Sequence, residues 1–177
     1  MTELSDLHID HNDMNCPCSG GTLQWAMTCC HMESPVGRLR IVERDEAVVS
    51  VTWSDGDETD ENTLLTETCR QLRAYFDNEL SEFDLPLAPS GSPFQQRVFD
   101  AMSDIEFGRT KTYGELAGLV DGSAQAVGQA CGANPIPIII PCHRVLAANG
   151  LGGFSGAGGV ETKVELLKRE GAYSLLI

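Results

Sequence analysis

The chain has 177 residues, of which 42% are hydrophobic; this excludes a disordered chain and allows one large domain or two small ones with a hydrophobic core. The formal net charge of −14 excludes a chain that is basic throughout. The acidic residues are concentrated in the first half: residues 1–90 hold 18 Asp and Glu against 5 Lys and Arg, whereas residues 91–177 hold 8 Asp and Glu against 7 Lys and Arg. No apolar run approaches the ~20 residues that cross a bilayer and no signal-peptide pattern is present, so we expect no membrane partner and a cytoplasmic location.

Residues 1–32 are polar and without periodicity, and we treat them as an N-terminal arm that need not be ordered. This arm is rich in Cys and His, the usual ligands of zinc. The candidate ligands are Cys16, Cys18, Cys29, Cys30 and His31, with His8 and His11 in the same segment. Their spacing matches no standard zinc finger, so we expect no required cofactor and keep zinc as the weaker alternative. Seven irregularly spaced Cys residues also favour a reducing compartment over a disulfide scaffold.

Residues 33–90 predict a small α/β domain. Short apolar runs at 38–42 and 47–53, separated by a charged turn, predict two paired strands. After the acidic loop "DGDETDENT" comes a predicted helix, whose buried face would contain Leu65, Cys69, Leu72 and Phe76. The Pro- and Gly-rich stretch "FDLPLAPSGSP" indicates a domain boundary near residue 90.

Residues 91–177 predict a helical second domain. "SPFQQRVFDAMSDI" predicts a helix with a Ser cap and Pro in its first turn, burying Phe94, Val98, Phe99 and Met102. A short helix from about Tyr113 and a second one in "AQAVGQACGA" form a helix-turn-helix pattern. The small side chains of the second helix suit tight packing against a neighbour or entry into a DNA groove, and the pattern leaves both open. "GVETKVELLKREG" predicts a closing helix that stops at Gly171.

A Cys–His pair follows the apolar run "NPIPIIIP", which we interpret as a buried strand that either merely ends in Cys or aims a nucleophile into a pocket. A thiolate is the attacking form of Cys, so Cys142 needs a group that accepts its proton. His143 is adjacent, but neighbours on a strand point to opposite sides, so a turn or a water molecule must connect them. His143 in turn needs an orienting carboxylate, and spacing alone does not choose among the eight in the second half.

The stretch "NPIPIIIPCHRV" resembles the active-site signature of the O6-alkylguanine-DNA alkyltransferases, the methylated-DNA–protein-cysteine methyltransferases. The resemblance continues in family order through "SPFQQRVFDAMSDIEFGRTKTYGELA", "AQAVGQACGANP", "GLGGFSGAGG" and "KVELLKREG". It extends more loosely to "SPVGRLRIV" and "LRAYFDNELSEFDLPL", covering about residues 33–171. It implies an α+β fold: an N-terminal antiparallel sheet with a helix, then an α-rich, winged-helix-like helix-turn-helix domain that carries the active-site Cys.

The resemblance also implies DNA repair. A protein of this family binds double-stranded DNA, rotates the damaged guanine out of the stack and holds it in a pocket. Cys142 would take the alkyl group from O6-alkylguanine, with O4-alkylthymine as a second candidate lesion. Since no step releases the resulting thioether, each molecule would react once. No cofactor is implied, because the lesion itself carries the alkyl group, and we expect a monomer.

Site residues are carried over from the family motifs position by position. Cys142 matches the nucleophile, His143 the base that acts through a bound water, and Glu170 the carboxylate that orients it. Asn134 matches the Asn that ties the helix-turn-helix to the active-site strand. Tyr113 matches the Tyr that hydrogen-bonds the flipped base and donates towards the leaving oxygen.

Further residues match the base pocket and the DNA-contacting helix. The backbone of Cys142 and Val145 would read the guanine amino group. The pocket wall would contain Cys131, Leu151, Phe154, Ser155 and Gly156, and the groove-binding helix would present Gln125 and Ala126. We expect Arg144 to form a structural ion pair.

Two positions depart from the family pattern. Gln125 stands where the family has an Arg that fills the gap left by the flipped base, so we expect weaker DNA binding or slower flipping. Cys131 stands where the pocket wall often has a larger apolar residue. Two alternatives stay open: an alkyltransferase-like protein that senses lesions with little activity, and a thiol-dependent enzyme acting on a small molecule.

Overall fold

The computed structural model describes residues 27–172, and these form the α+β fold expected from the sequence. The strands are β1 (Thr28–Met32), β2 (Leu39–Arg44), β3 (Ala47–Trp53), β4 (Lys111–Thr112) and β5 (Val145–Leu146). The helices are α1 (Thr63–Phe76), α2 (Pro93–Ser103), α3 (Tyr113–Leu119), α4 (Ala124–Gly132) and α5 (Val160–Arg169), with a short 3-10 helix at Cys142–Arg144. No helix within residues 27–172 is long and apolar enough to cross a membrane.

The N-terminal half is an antiparallel sheet in the order β1-β2-β3, with α1 packed against it. The β2–β3 hairpin turns through Asp45 and Glu46, whose φ angles of 55° and 61° place both in the left-handed region. Two such residues form a type I′ turn, which follows the right-handed twist of the paired strands. The predicted strand pair is therefore confirmed, with β2 reaching Arg44, two residues further than the apolar run.

Part of the predicted N-terminal arm belongs to this sheet. Residues 28–32 form the edge strand β1 and pair with residues 39–43 of β2. The sequence did not predict this strand, because "TCCHM" lacks the alternation of apolar and polar residues that marks a strand. Its adjacent residues Cys29 and Cys30 are both buried. Residues 1–26 lie outside the described residues, so the remaining domain boundaries stay predictions.

α1 begins at a side-chain cap and buries the predicted face. The Oδ1 atom of Asn62 accepts hydrogen bonds from the backbone N–H groups of Leu64 and Leu65, at 2.8 and 3.1 Å. The buried residues of α1 are Leu65, Thr68, Cys69, Gln71, Leu72, Tyr75 and Phe76. Tyr75, in the last turn of α1, also donates a hydrogen bond to Glu170 in the second half of the chain.

The C-terminal half contains the predicted helices. α2 begins at a capping box formed by Ser92 and Gln95, with Pro93 in its first turn. α3 and α4 are joined by a short turn and pack against each other and against α2, which is the predicted helix-turn-helix. α5 ends before Gly171, whose φ of 72° suits the left-handed conformation at a helix terminus.

The apolar run before the Cys–His pair is buried, but it is not the strand that the sequence suggested. Between Asn134 and Pro141 the chain folds into a tight turn, in which the N–H of Ile140 donates to the carbonyl of Ile136 at 2.9 Å. Ile138 adopts a φ of 76°, a strained conformation for a β-branched residue. β-Branched residues favour strands when their side chains decide the conformation, but here the prolines and the Asn134 side chain decide it.

Candidate active site

Cys142 begins a 3-10 helix, and this local geometry separates its side chain from those that follow. Successive residues of a 3-10 helix project about 120° apart. Cys142 accordingly faces a cavity of about 340 Å³, while His143 and Arg144 both hydrogen-bond to Glu170. The residues that line the cavity are Tyr113, Gly128, Cys131, Gly132, Cys142, Gly153, Phe154 and Ser155.

The side chain of Cys142 lines this cavity and is buried, with 4% of the residue exposed. Burial raises its pKa, whereas the amide of Asn134, the ammonium of Lys163 and backbone N–H groups lower it. The resting group is therefore a thiol that needs a proton acceptor, because these polar groups offset only part of the effect of burial.

His143 is the candidate acceptor, and its contacts define its tautomer. Its Nε2 atom lies 2.7 Å from Oε1 of Glu170 in a fully buried contact. Burial lowers the pKa of His143, an effect that Glu170 only partly offsets, so the imidazole is neutral near pH 7. A neutral imidazole that donates from Nε2 has its lone pair on Nδ1. That Nδ1 is buried and has no hydrogen-bond partner among residues 27–172.

Glu170 accepts more hydrogen bonds than a His–carboxylate pair alone would need. Its Oε2 accepts from Nε of Arg144 at 2.9 Å, and its Oε1 accepts from Nη2 of Arg144 at 3.0 Å and from the hydroxyl of Tyr75 at 2.6 Å. Burial by itself would raise the pKa of Glu170, but the hydrogen bonds and charges of His143 and Arg144 outweigh it and bring the pKa to about 2. The carboxylate is therefore charged, and Arg144 has the ion-pair geometry expected from the sequence.

Asn134 fastens the turn that leads to the nucleophile. Its Nδ2 donates to the carbonyl of Ile140 at 2.8 Å, and its Oδ1 accepts from the N–H of Ile136 at 3.0 Å. One side chain thus satisfies backbone groups at both ends of the turn that replaces the expected strand. Because α4 ends at Gly132, two residues before Asn134, this contact also connects the helix-turn-helix to Cys142.

Tyr113 lines the cavity, and two glycines lie close to its ring. A Cβ atom added at Gly152 would lie 3.0 Å from the ring and 3.3 Å from its hydroxyl, and one at Gly128 would lie 3.9 Å from the ring. Gly152 has a φ of 70°, which also favours glycine. Burial, together with the thiols of Cys131 and Cys142, raises the pKa of Tyr113, so its phenol stays protonated and able to donate.

The loop after β5 supplies the pocket wall, and the N-terminal sheet supports it. Phe154 and Ser155 line the cavity, as the sequence suggested. Gly156 lies behind them: a Cβ atom there would be 2.4 Å from the ring of Phe154 and 2.5 Å from the ring of Trp53. Trp53 is the last residue of β3, so the first half of the chain contacts the wall of this pocket.

Two other expected pocket residues do not line the cavity. Leu151 packs against a small cluster made of Leu146, Leu167 and Ala172. Val145 is fully buried, and its carbonyl accepts a hydrogen bond from Lys163 at 2.6 Å. A carbonyl oxygen has two lone pairs, so this bond leaves one free for a base amino group.

The expected DNA-contacting residues begin α4. Gln125 is exposed and Ala126 is half-buried, and the N–H of Ala126 donates to the hydroxyl of the cap residue Ser123 at 3.2 Å. Neither belongs to the residues that line the cavity. Cys131 lies near the other end of the same helix and does line it, so α4 joins the exposed surface to the pocket.

Sequence reasoning missed two buried polar residues of the site. Lys163 is fully buried and donates to the carbonyls of Val145 and Gly153, the latter at 3.1 Å. Burial lowers its pKa to about 8, although the nearby thiols of Cys142 and Cys131 act in the opposite direction. The sequence did contain a signal for Lys163: it lies three residues before Leu166, on the apolar face of α5, where a charged side chain is unusual. The signal for Tyr75 was weaker: a buried tyrosine hydroxyl needs a hydrogen-bond partner, but the sequence does not say which residue that partner is.

The candidate zinc ligands do not form a cluster where the structure describes them. Cys16 and Cys18 lie outside the described residues. Cys29, Cys30 and His31 are consecutive on β1 and therefore alternate between its two faces. Within residues 27–172, no group of three or more His, Cys, Asp or Glu side chains is placed to hold a metal ion.

Both halves of the chain match family models. Residues 93–172 match the model described as 6-O-methylguanine DNA methyltransferase, DNA binding domain. Residues 27–89 match the model described as 6-O-methylguanine DNA methyltransferase, ribonuclease-like domain. Together these ranges cover most of the chain.

Named relatives and solved structures agree with these matches. The methylated-DNA–protein-cysteine methyltransferase of Methanosarcina acetivorans is 40% identical over 151 residues, which are 79% of this chain and 96% of that protein. The one of Mycolicibacterium paratuberculosis is 41% identical over 153 residues, 81% and 92% of the two chains. The crystal structure of Mycobacterium tuberculosis O6-methylguanine methyltransferase is similar with a TM-score of 0.75 and 35% identity, covering 84% of this chain and 94% of that one. A structure of OGT from the same organism in complex with DNA has a TM-score of 0.73 and 38% identity, covering 82% and 93%. The chain therefore belongs to the methylated-DNA–protein-cysteine methyltransferase family.

Proposed function

We propose that Cys142 is the cysteine that receives the alkyl group in this family's DNA-repair reaction, and that the group comes from the O6 atom of guanine in double-stranded DNA. One observation carries the proposal: the thiol of Cys142 faces the cavity while the next residue, His143, is hydrogen-bonded to the buried carboxylate of Glu170. Membership of the family supports the reaction class, the transfer of a methyl group from DNA to a protein cysteine.

The first step removes the proton of Cys142. His143 is neutral with its lone pair on Nδ1, and a water molecule between this atom and the thiol would relay the proton. The imidazolium that forms is stabilised by the charged carboxylate of Glu170 at 2.7 Å. Because Arg144 and Tyr75 also bind that carboxylate, it stays charged and correctly oriented while the proton moves.

The second step is a displacement at the alkyl carbon. The thiolate of Cys142 forms an S–C bond as the C–O6 bond breaks, and the electron pair of that bond goes to the guanine. The protonated phenol of Tyr113 is the group in the cavity lining that can hydrogen-bond the base and donate towards the leaving oxygen. Lys163, whose charge lowers the pKa of Cys142, favours the thiolate that attacks.

The product explains why each molecule would act once. A thioether has no electrophilic carbonyl, and its carbon–sulfur bond is not cleaved by water that a neutral imidazole such as His143 activates. The alkyl group arrives with the DNA, and for that reason the reaction needs no cofactor. The protein is consumed with the lesion it repairs.

DNA would bind along the helix-turn-helix. The exposed start of α4 carries Gln125, and the same helix contributes Cys131 to the cavity, so a base rotated out of the duplex beside α4 enters the pocket directly. The second half of the chain, with 8 acidic and 7 basic residues, repels phosphates far less than the first half does.

Three finer points belong to the same proposal. O6-alkylguanine is the principal lesion, with O4-alkylthymine as a second substrate. The protein acts as a monomer, because one chain contains the helix-turn-helix, the nucleophile and its supporting carboxylate. It acts in the cytoplasm, which is consistent with the free state of all five cysteines in residues 27–172.

The deciding experiment mixes the reduced protein with a duplex that contains one O6-methylguanine. We expect a mass gain of one methyl group on the peptide that contains Cys142, and a reaction that stops after one event per molecule. Cys142→Ser should abolish the gain, whereas Cys29→Ser, which removes a buried thiol far along the chain on β1, should leave it intact.

Other outcomes would point elsewhere. Methylation of a different residue would refute the assignment of Cys142, and DNA binding with no methylation would favour a lesion-sensing protein. Repeated turnover of a small thiol-reactive ester, without reaction with DNA, would favour the small-molecule enzyme.

A further inference from the structure

Two cysteines in the N-terminal half form a thiol pair that the repair reaction does not use. Cys30 lies on β1 and Cys69 on α1, and their Sγ atoms are 3.1 Å apart. Both side chains are buried in the same core, with 4% and 7% of each residue exposed. The sulfurs of a disulfide are about 2.0 Å apart, so small side-chain rotations would bring this pair to bonding distance.

We propose that Cys30 and Cys69 form a redox modification site, which a hydroperoxide converts into a reversible disulfide. The sulfur of Cys69 attacks one peroxide oxygen, the O–O bond breaks, and an alcohol (water, for hydrogen peroxide) leaves. The sulfur of Cys30 then attacks the sulfenic acid on Cys69, the S–O bond breaks and water leaves. In sum, two thiols lose two protons and two electrons, and the peroxide is reduced.

The pair is better placed to react than the thiols of the repair pocket. The hydrogen bond from Cys30 and the charge of Arg73 lower the pKa of Cys69 against the effect of its burial. Burial instead raises the pKa of Cys142, and raises that of Cys131 to about 12. Since the thiolate is the form that attacks a peroxide, Cys69 should be oxidised before Cys142.

A metal ion is a poorer explanation of the same pair. Zinc in structural sites takes four ligands, of which Cys and His are the usual ones. Around Cys30 and Cys69 the part of the chain that the structure describes offers no group of three metal-binding side chains. Cys29, the neighbouring thiol, points to the other face of β1.

Oxidation of the thiol pair would have a structural consequence that leaves the repair site intact. The disulfide would join residues 39 positions apart and tie the edge strand β1 to α1. A cross-link of this kind restricts the unfolded chain, so the oxidised protein should unfold at a higher temperature than the reduced one. Cys142 is in the other half of the chain and should keep its thiol.

The test uses the full chain, reduced and then treated with one equivalent of hydrogen peroxide at pH 7. Remaining thiols are blocked with N-ethylmaleimide, and the chain is cleaved after methionine. Cleavage after Met27, Met32 and Met102 gives one short peptide with Cys29 and Cys30, and one in which Cys69 is the only cysteine. We expect these two peptides to be joined in the wild-type protein, and the peptide with Cys131 and Cys142 to be blocked by the maleimide.

Matched variants identify the partner and connect the result to repair. Cys29→Ser should keep the cross-link, and Cys30→Ser and Cys69→Ser should lose it. The oxidised wild type should melt at a higher temperature, return to the lower one with dithiothreitol, and transfer one methyl group per molecule as before. The proposal is overturned if Cys142 is oxidised while Cys69 remains free, or if the cross-link persists in Cys30→Ser. If Cys30→Ser does not fold, the cross-link and the melting temperature, measured in the wild type and in Cys29→Ser, still decide the question.

Discussion

The ring of Trp53 meets the ring of Phe154 edge to face, with centroids 6.2 Å apart and ring planes at 85°. Trp53 ends a strand of the N-terminal sheet, and its Nε1 donates to the carbonyl of Val36 at 2.9 Å, which fixes the ring. Phe154 lines the cavity that contains Cys142. The N-terminal half therefore helps to hold the wall of the pocket in place, although it contributes no residue to the cavity lining.

This contact predicts that Gly156→Ala will impair repair. The added Cβ would lie 2.4 Å from Phe154 and 2.5 Å from Trp53, so the loop or the rings must move by about 1 Å. A displacement of that size at a reacting centre can cost about 10²-fold in rate. Single-turnover methyl transfer to the protein measures the effect. Gly118→Ala on α3, where a Cβ meets nothing within 4 Å, is the control, and equal rates in both variants would contradict the prediction.

The His143–Glu170 contact predicts a large effect of Glu170→Gln on the transfer rate. Glutamine keeps the shape of the side chain but not the charge that stabilises the imidazolium of His143. We expect the single-turnover rate to fall by about 10²- to 10⁴-fold, the usual contribution of general-base catalysis. Tyr75→Phe removes one hydrogen bond to the same oxygen and leaves the charge, so its rate should fall much less. Similar losses in the two variants would mean that the charge is not what matters.

The same carboxylate predicts how stability depends on pH. Folding lowers the pKa of Glu170 from 4.5 to about 2, so its contribution to stability is fully present above pH ~4.5 and is lost as the pH falls towards 2. A shift of that size corresponds to about 3 kcal/mol of unfolding free energy. Urea unfolding at a series of pH values should show this loss in the wild type and a shallower one in Glu170→Gln. The side chain is fully buried, so added salt should change the result little.

The buried ammonium of Lys163 predicts a change in the acidity of the nucleophile. Lys163→Met keeps the length of the side chain but removes the positive charge that lowers the pKa of Cys142. At pH 7, below the pKa of about 8 of Lys163, we expect iodoacetamide to alkylate Cys142 about tenfold more slowly in this variant than in the wild type, because a smaller fraction of Cys142 is thiolate. The alkylation of Cys29, measured in the same samples, provides an internal reference. An unchanged alkylation rate for Cys142 at pH 7 would mean that Lys163 acts only through its hydrogen bonds with the carbonyls of Val145 and Gly153.

Local patterns predicted the helices because their information lies close together in the chain. Ser92 before Pro93, and the apolar face of α1, need only neighbours within one or two turns to act. The Cys142–His143 pair was recognisable for the same reason, as a short motif with its chemistry in adjacent positions.

The supporting contacts of the site could not be predicted because their partners are distant. Tyr75 meets Glu170 across 95 positions of the chain, and no local pattern announces such a pair. The strand predicted before Cys142 was wrong for another reason. The side chain of Asn134 satisfies backbone groups that a strand would have paired with a neighbouring strand. The Asn134 side chain and the prolines of this segment thus overrode the strand preference of Ile138 and its neighbours.

The exposed glutamine at the start of α4 predicts a gain of function. Gln125 has neither the charge nor the broad planar group with which an arginine could fill the space of a flipped base. An added interaction worth about 1 kcal/mol corresponds to roughly fivefold in rate, so Gln125→Arg should speed repair of duplex DNA by about that factor at low salt. Binding should also weaken more steeply with salt, with a log–log slope larger by about 0.9 for one new phosphate contact. Gln125→Lys separates the two causes, because it supplies the charge without the plane: it should share the steeper slope but not the full acceleration. If Gln125→Arg repairs duplex DNA no faster than the wild type, then the step that limits repair lies after base flipping, in the chemistry at Cys142.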